Sequence, residues 1–140
     1  MLMSLAGSLP VAALIGAPVV CVDRGATIPE AAGTMAAAGV GALVVGTGDD
    51  PAGIVTEHDL VGVLATGLQP EATRVTDVAS TLLVWCDVEA TVAEVAELMM
   101  ERYVRHVLVE DQGRLVGVVS ARDILGVYAS DDADVEPLDA

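Results

Sequence analysis

Lysine is missing altogether, and six arginines stand against 21 acidic residues, for a formal net charge of −15. Nucleic-acid binders neutralise phosphates with clustered cations, so a surface of this sign excludes DNA and RNA as partners. It also repels anionic membranes. Such acidity without lysine resembles that of proteins adapted to high internal salt, where self-repulsion is screened, although a GC-rich genome that favours arginine gives the same composition. Long hydrophobic runs are absent too: no apolar stretch reaches the roughly 18 residues that span a bilayer without a Gly, Pro or charge interrupting it. The segment Met1–Val20 is apolar, but no cation precedes Arg24, so the positive start of a secretory signal is missing and a cytoplasmic location is expected. Cysteine is scarce. Cys21 and Cys86 make no disulfide framework and lie in apolar runs, as buried strand cysteines do. With only His58 and His106 as further soft ligands, and no pair at chelating spacing, no metal site is expected.

What is present is a duplication. Sliding the chain by 64 residues aligns Asp23 with Asp87, Thr27 with Thr91, Met35 with Met99, Gly53 with Gly117 and Asp59 with Asp123, giving 14 identities in 44 positions without a gap. Each copy begins with an apolar run, Val19–Val22 or Leu82–Cys86, that predicts a buried strand. Thr27-x-x-Glu30 and Thr91-x-x-Glu94 have capping-box spacing, with helices predicted from there to about Ala38 and Arg102. Val92, Val95, Ala96, Met99 and Met100 form a helical stripe that reads as core. A hairpin follows in each copy (Ala42–Val45 with Gly53–Thr56, and His106–Val109 with Leu115–Ser120), then a second helix over Glu57–Ala65 or Ala121–Ala129. The expected fold is α+β: two tandem β-α-β-β-α repeats, at 10–66 and 74–129, joined by a linker at 67–73. Residues 130–140 carry five acids and no base, so a solvated, disordered tail is expected there.

Each unit ends in Gly, two apolar residues, then Ser/Thr-x-x-Asp: Gly53-Ile54-Val55-Thr56-Glu57-His58-Asp59 and Gly117-Val118-Val119-Ser120-Ala121-Arg122-Asp123. Occurring twice and in phase, this resembles a tandem pair of cystathionine β-synthase (CBS) domains, a Bateman module. The resemblance implies pseudo-two-fold symmetry, with small sheets and helices packed in three layers. It also implies binding of adenosine ligands (AMP, ADP, ATP or S-adenosylmethionine) in clefts between the repeats. The chemistry suits that role. A carboxylate in the first turn of a helix accepts two ribose hydroxyls, and a hydroxyl beside free N–H groups at a helix N-terminus suits phosphate. A purely local alternative stays open, in which Thr56 and Ser120 are N-caps and Asp59 and Asp123 offset the helix dipole.

The second copy carries Arg105, His106 and Arg122 where the first has Gly41, Ala42 and His58. By resemblance, Asp123 and Ser120 with those three make the better nucleotide site, and Asp59, Thr56 and His58 the lesser one. Adenine would lie against Val20, Val84, Pro18 and Leu82, whose other reading is plain core. The charge of −15 favours AMP or ADP over ATP and leaves the sulfonium cation S-adenosylmethionine open. No Walker or dinucleotide loop and no activated nucleophile is visible, so an enzyme is not expected. The expectation is a regulatory, nucleotide-sensing module that needs no cofactor. It would form homodimers through Leu60–Ala65 and Ile124–Ala129 and act on a separate, unknown protein target. The alternatives are a ligand-free dimerisation or scaffold module and a metal or redox element.

Overall fold

The computed structural model describes residues 5–16 and 18–133, the last three by their backbone. The first sheet is β1 (Cys21–Val22), β2 (Ala42–Gly46) and β3 (Pro51–Thr56), with helices α1 (Ile28–Ala38), α2 (Glu57–Ala65) and a short α3 (Val75–Val78). The second is β4 (Trp85–Asp87), β5 (His106–Asp111) and β6 (Arg114–Ser120), with α4 (Val92–Arg102) and α5 (Ala121–Ala133). Each sheet pairs its first strand parallel and its last strand antiparallel to a central one. The register repeats with the 64-residue shift: Cys21 faces Val44 as Trp85 faces Leu108, and Ala42 faces Thr56 as His106 faces Ser120. Even the bulges coincide, at Val45/Gly46 and Val109/Glu110.

The helices start where the sequence places them. Thr27 and Thr91 accept the N–H of Glu30 and Glu94, and Glu94 answers by accepting the N–H of Thr91 at 2.9 Å. Those bonds to Thr91 hold the Glu94 carboxyl below the usual range. α1 ends at Gly39 in the left-handed conformation, φ 69°; its counterpart at the end of α4 is Tyr103, φ 54°, a costlier choice for a residue with a side chain.

The chain divides into two compact units that cut across the expected boundaries: Val19–Leu83, and 84–140 together with the N-terminal segment up to Pro18. In the first unit Val75 donates to the carbonyl of Ala26 and Ile28 to that of Thr73; in the second, Val11 donates to Ala90 and Val92 to Leu9. Pro10 bridges Thr91 and Arg74 bridges Thr27, again 64 residues apart. A leader segment therefore closes each core, with Val11 and Val75 fully buried. The leader that opens the first repeat belongs to the core of the second, and the leader that opens the second repeat belongs to the core of the first.

The expected linker at 67–73 holds local structure of its own. Pro70–Ala72 is a 3-10 turn, and Thr73 is buried, its hydroxyl donating to Gln69. The glycine of each motif makes room for a leader. A Cβ on Gly53 would lie 2.8 Å from the backbone oxygen of Ser80, and one on Gly117 2.8 Å from the side chain of Ile15. The expected tail begins too early: α5 continues through Ser130 to Ala133, since neither Gly nor Pro interrupts it there. The remainder of the tail, 134–140, lies outside the described residues. In the α4 stripe Val92, Val95 and Met99 fill the core, whereas Met100 points out to solvent.

Candidate functional site

The two motifs form strand-to-helix corners, each within its own unit. At the second, β6 delivers Ser120 and α5 starts at Ala121, whose N–H is held by the carbonyl of Arg105 at 2.8 Å. The N–H of Asp123 donates to the Ser120 hydroxyl oxygen at 3.0 Å, and Asp123 Oδ2 accepts the N–H of Ser120 at 2.8 Å. This is a capping box. It uses one oxygen of Asp123 and leaves Oδ1, together with the Ser120 hydroxyl proton, without a protein partner among the described residues. Arg105, Arg122 and Asp123 are exposed here, and half-buried His106 pairs with Ser120 across the sheet.

At the first corner the carbonyl of Gly41 holds the N–H of Glu57 at 2.9 Å. Asp59 Oδ2 accepts both the N–H of Thr56 at 2.8 Å and its hydroxyl at 3.0 Å, while that hydroxyl oxygen takes the N–H of Asp59. The Thr56 proton is therefore spent inside the box. His58 is exposed. The carboxylate of Glu57 folds over Gly41, where a Cβ would meet its Oε1 at 2.6 Å.

The local alternative and the ligand chemistry thus coexist: the caps are made, and each aspartate keeps one oxygen to offer. A grip on two ribose hydroxyls by both oxygens, as first expected, is reduced to Oδ1 plus whatever Oδ2 can share. Among the apolar candidates, Val84 is the most deeply buried. It is 5% exposed in the core of its unit, and its carbonyl receives Leu108, so its side chain is spent on packing. Val20 is half-buried against the other core, with its carbonyl receiving Val44. Pro18 is exposed, and Leu82 is 58% exposed. Arg105, His106, Ser120, Arg122 and Asp123 gather at the corner of the second unit, and Thr56, His58 and Asp59 at that of the first.

The sequence gives no signal for the place of Glu57, because Gly41 lies 16 residues away and only the fold brings the two together. No three His, Cys, Asp or Glu come together in metal-holding geometry among the described residues. None of the described helices is long and apolar enough to cross a membrane.

The model of the CBS domain matches residues 11–66 and 75–130. The chain belongs to the CBS-domain family. Its two CBS repeats are similar to Hypoxic response protein 1 of Mycobacterium tuberculosis, 34% identical over 113 residues that make up 79% of each chain. A crystal structure of Hypoxic Response Protein I with two coordinated zinc ions has a TM-score of 0.64 at 32% identity and covers 84% of this chain and 97% of that one. A CBS domain protein from Pyrobaculum aerophilum complexed with AMP has a TM-score of 0.72 at 30% identity, covering 87% of this chain and 99% of that one. An uncharacterised protein of Methanopyrus kandleri is 36% identical over 104 residues; the match takes in 72% of this chain and 53%, about half, of that relative's length.

Proposed function

We propose that this CBS pair is a regulatory module that binds an adenosine ligand of the AMP or ADP type, and that the bound ligand changes its affinity for a separate protein. The AMP complex of the Pyrobaculum aerophilum protein carries this reading. The second corner supports it from within: Asp123 has an uncommitted carboxylate oxygen for ribose, and Ser120 has a hydroxyl proton for phosphate. Arg105 and Arg122 lie at the same N-terminus of α5, beside its positive dipole end. ATP is the weaker candidate at a net charge of −15, and S-adenosylmethionine the alternative that charge favours. The module works by binding rather than catalysis, in the cytoplasm. It assembles as a homodimer through the outward side chains of its second helices, Val61, Leu64 and Leu125. Leu60, Val63 and Ile124 on those helices serve the cores instead.

A thermal-shift screen with AMP, ADP, ATP and S-adenosylmethionine tests the reading. AMP or ADP should raise the melting temperature of the wild type, saturably, and that of Asp123→Ala far less. A flat response to the whole series would leave the ligand-free scaffold in its place. A zinc module is the second reading, favoured by the zinc ions of the Hypoxic Response Protein I structure. Elemental analysis showing stoichiometric zinc in the purified protein would promote it.

A further inference from the structure

The two corners share one scaffold but carry opposite charge at one place. The backbone bond from Glu57 to Gly41 in the first corner is the bond from Ala121 to Arg105 in the second. The acid at 57 and the absent side chain at 41 are thus replaced by an absent acid and a cation. One residue on, His58 stands where Arg122 does. The hydroxyls differ in the same sense: Ser120 keeps its proton for a ligand, whereas Thr56 gives its own to Asp59. A phosphate at the first corner would meet two carboxylates and a hydroxyl already donating to Asp59, with Gly41 and His58 in place of the two arginines of the second corner.

We propose that Glu57 is a specificity-determining residue that bars phosphate from the first corner. AMP then fills the Ser120–Asp123 corner, and the Thr56–Asp59 corner is left to adenosine compounds that carry no phosphate, neutral or cationic. This inference rests on the adenosine-ligand reading above. It adds a repulsive element to it, the means by which related sites are made to discriminate. Gly41 completes the device. Its backbone is outside the left-handed region, so a side chain is permitted there, and one would displace only the flexible end of Glu57. The glycine lets the acid lie across the corner.

Calorimetric titration of the full chain with AMP and with adenosine tests this. Wild type should take one AMP per chain. Glu57→Gln, which keeps the shape and removes the charge, should gain roughly tenfold in AMP affinity at the first corner, the size of one partly screened like-charge contact. Adenosine affinity there should change less than about twofold, since a neutral ligand feels little of that charge. In an Asp123→Ala background, where the second corner is silenced, adding Glu57→Gln should restore AMP binding by the same factor, and adding Gly41→Arg as well should restore more. Two equal AMP sites in the wild type, or AMP affinities that Glu57→Gln leaves unchanged, would overturn the role of Glu57 while the ligand reading stands. If neither AMP nor adenosine binds any of these proteins, both fall together.

Discussion

The first and second corners are built from the same backbone bonds and capping boxes, yet they offer a ligand different chemistry. Ser/Thr-x-x-Asp is satisfied at both by helix capping alone, so the motif marks a strand-to-helix corner before it marks a binding site. Selectivity is written beside it, in the pairs Gly41 and Glu57 against Arg105 and Ala121, and in His58 against Arg122. A duplicated scaffold can keep its hydrogen bonds in both copies while its charges diverge, because capping bonds lie within one turn and the flanking side chains face solvent.

Removing the two aspartates separately is the sharpest way to break this comparison. Asp59→Ala and Asp123→Ala each lose a capping box, a stability cost of about 0.5–2 kcal/mol that should be similar in the two. Their ligand costs should diverge. AMP affinity should fall about a hundredfold in Asp123→Ala, the loss of charge-assisted bonds to ribose, and less than about threefold in Asp59→Ala. Equal AMP losses by calorimetry would make the corners equivalent after all.

The leaders offer the next largest effect, on stability. Val11 and Val75 are fully buried, one in each unit and 64 residues apart. Val11→Ala and Val75→Ala should each cost about 2 kcal/mol, two methyl groups plus the cavity left behind. Denaturant unfolding measures this. A silent Val11→Ala would mean that the N-terminal leader is no part of the second core.

Much of this architecture is legible in the sequence, because its determinants are local and repeated. The 64-residue period finds both sheets, the Thr-x-x-Glu spacing finds the starts of α1 and α4, and the short apolar runs Ala42–Val45 and Val107–Val109 find β2 and β5. The leaders are not legible. Val11 and Val75 look like any apolar residue near a proline or a glycine, and what gives them their place is pairing with Ala90 and Ala26, which lie far along the chain. For the same reason Gly67–Thr73 reads as linker, although Thr73 is buried and bonded. At the corners, residue identities are visible but commitments are not: that Thr56 spends its proton on Asp59, or that Val84 is consumed by packing, is decided by geometry.

The motif glycines separate the units by a smaller margin. Gly53→Ala sets a Cβ against the backbone of Ser80, which is itself paired with Ile54 in both directions and cannot easily yield. Gly117→Ala sets its Cβ against three carbons of the branched Ile15 side chain rather than against a paired backbone, so that side chain must shift. Gly53→Ala should cost about 1–3 kcal/mol as overpacking and Gly117→Ala clearly less. A reversed order of melting temperatures would show that Ile15 is the more rigid neighbour.

The cysteines give the smallest contrast and one set by pH. Cys21 and Cys86 are both half-buried in the first strands of their sheets. Burial raises the Cys21 thiol above its ordinary value; for Cys86 burial is joined by the carboxylates of Asp87 and Glu110, and the thiol is pushed up to about 11. A thiol whose folded value is raised favours the folded state below its ordinary value of 9.0, and this contribution is lost as pH climbs through about 11. Alkylation of single-cysteine proteins, Cys86→Ser and Cys21→Ser, reads the same quantity kinetically, because only the thiolate reacts. With Cys86 alone the rate should still be rising at pH 10, and at pH 8 it should lag the rate with Cys21 alone. A Cys86 rate that levels off by pH 9 would mean that the neighbouring carboxylates are screened, and that the two strands present equivalent thiols.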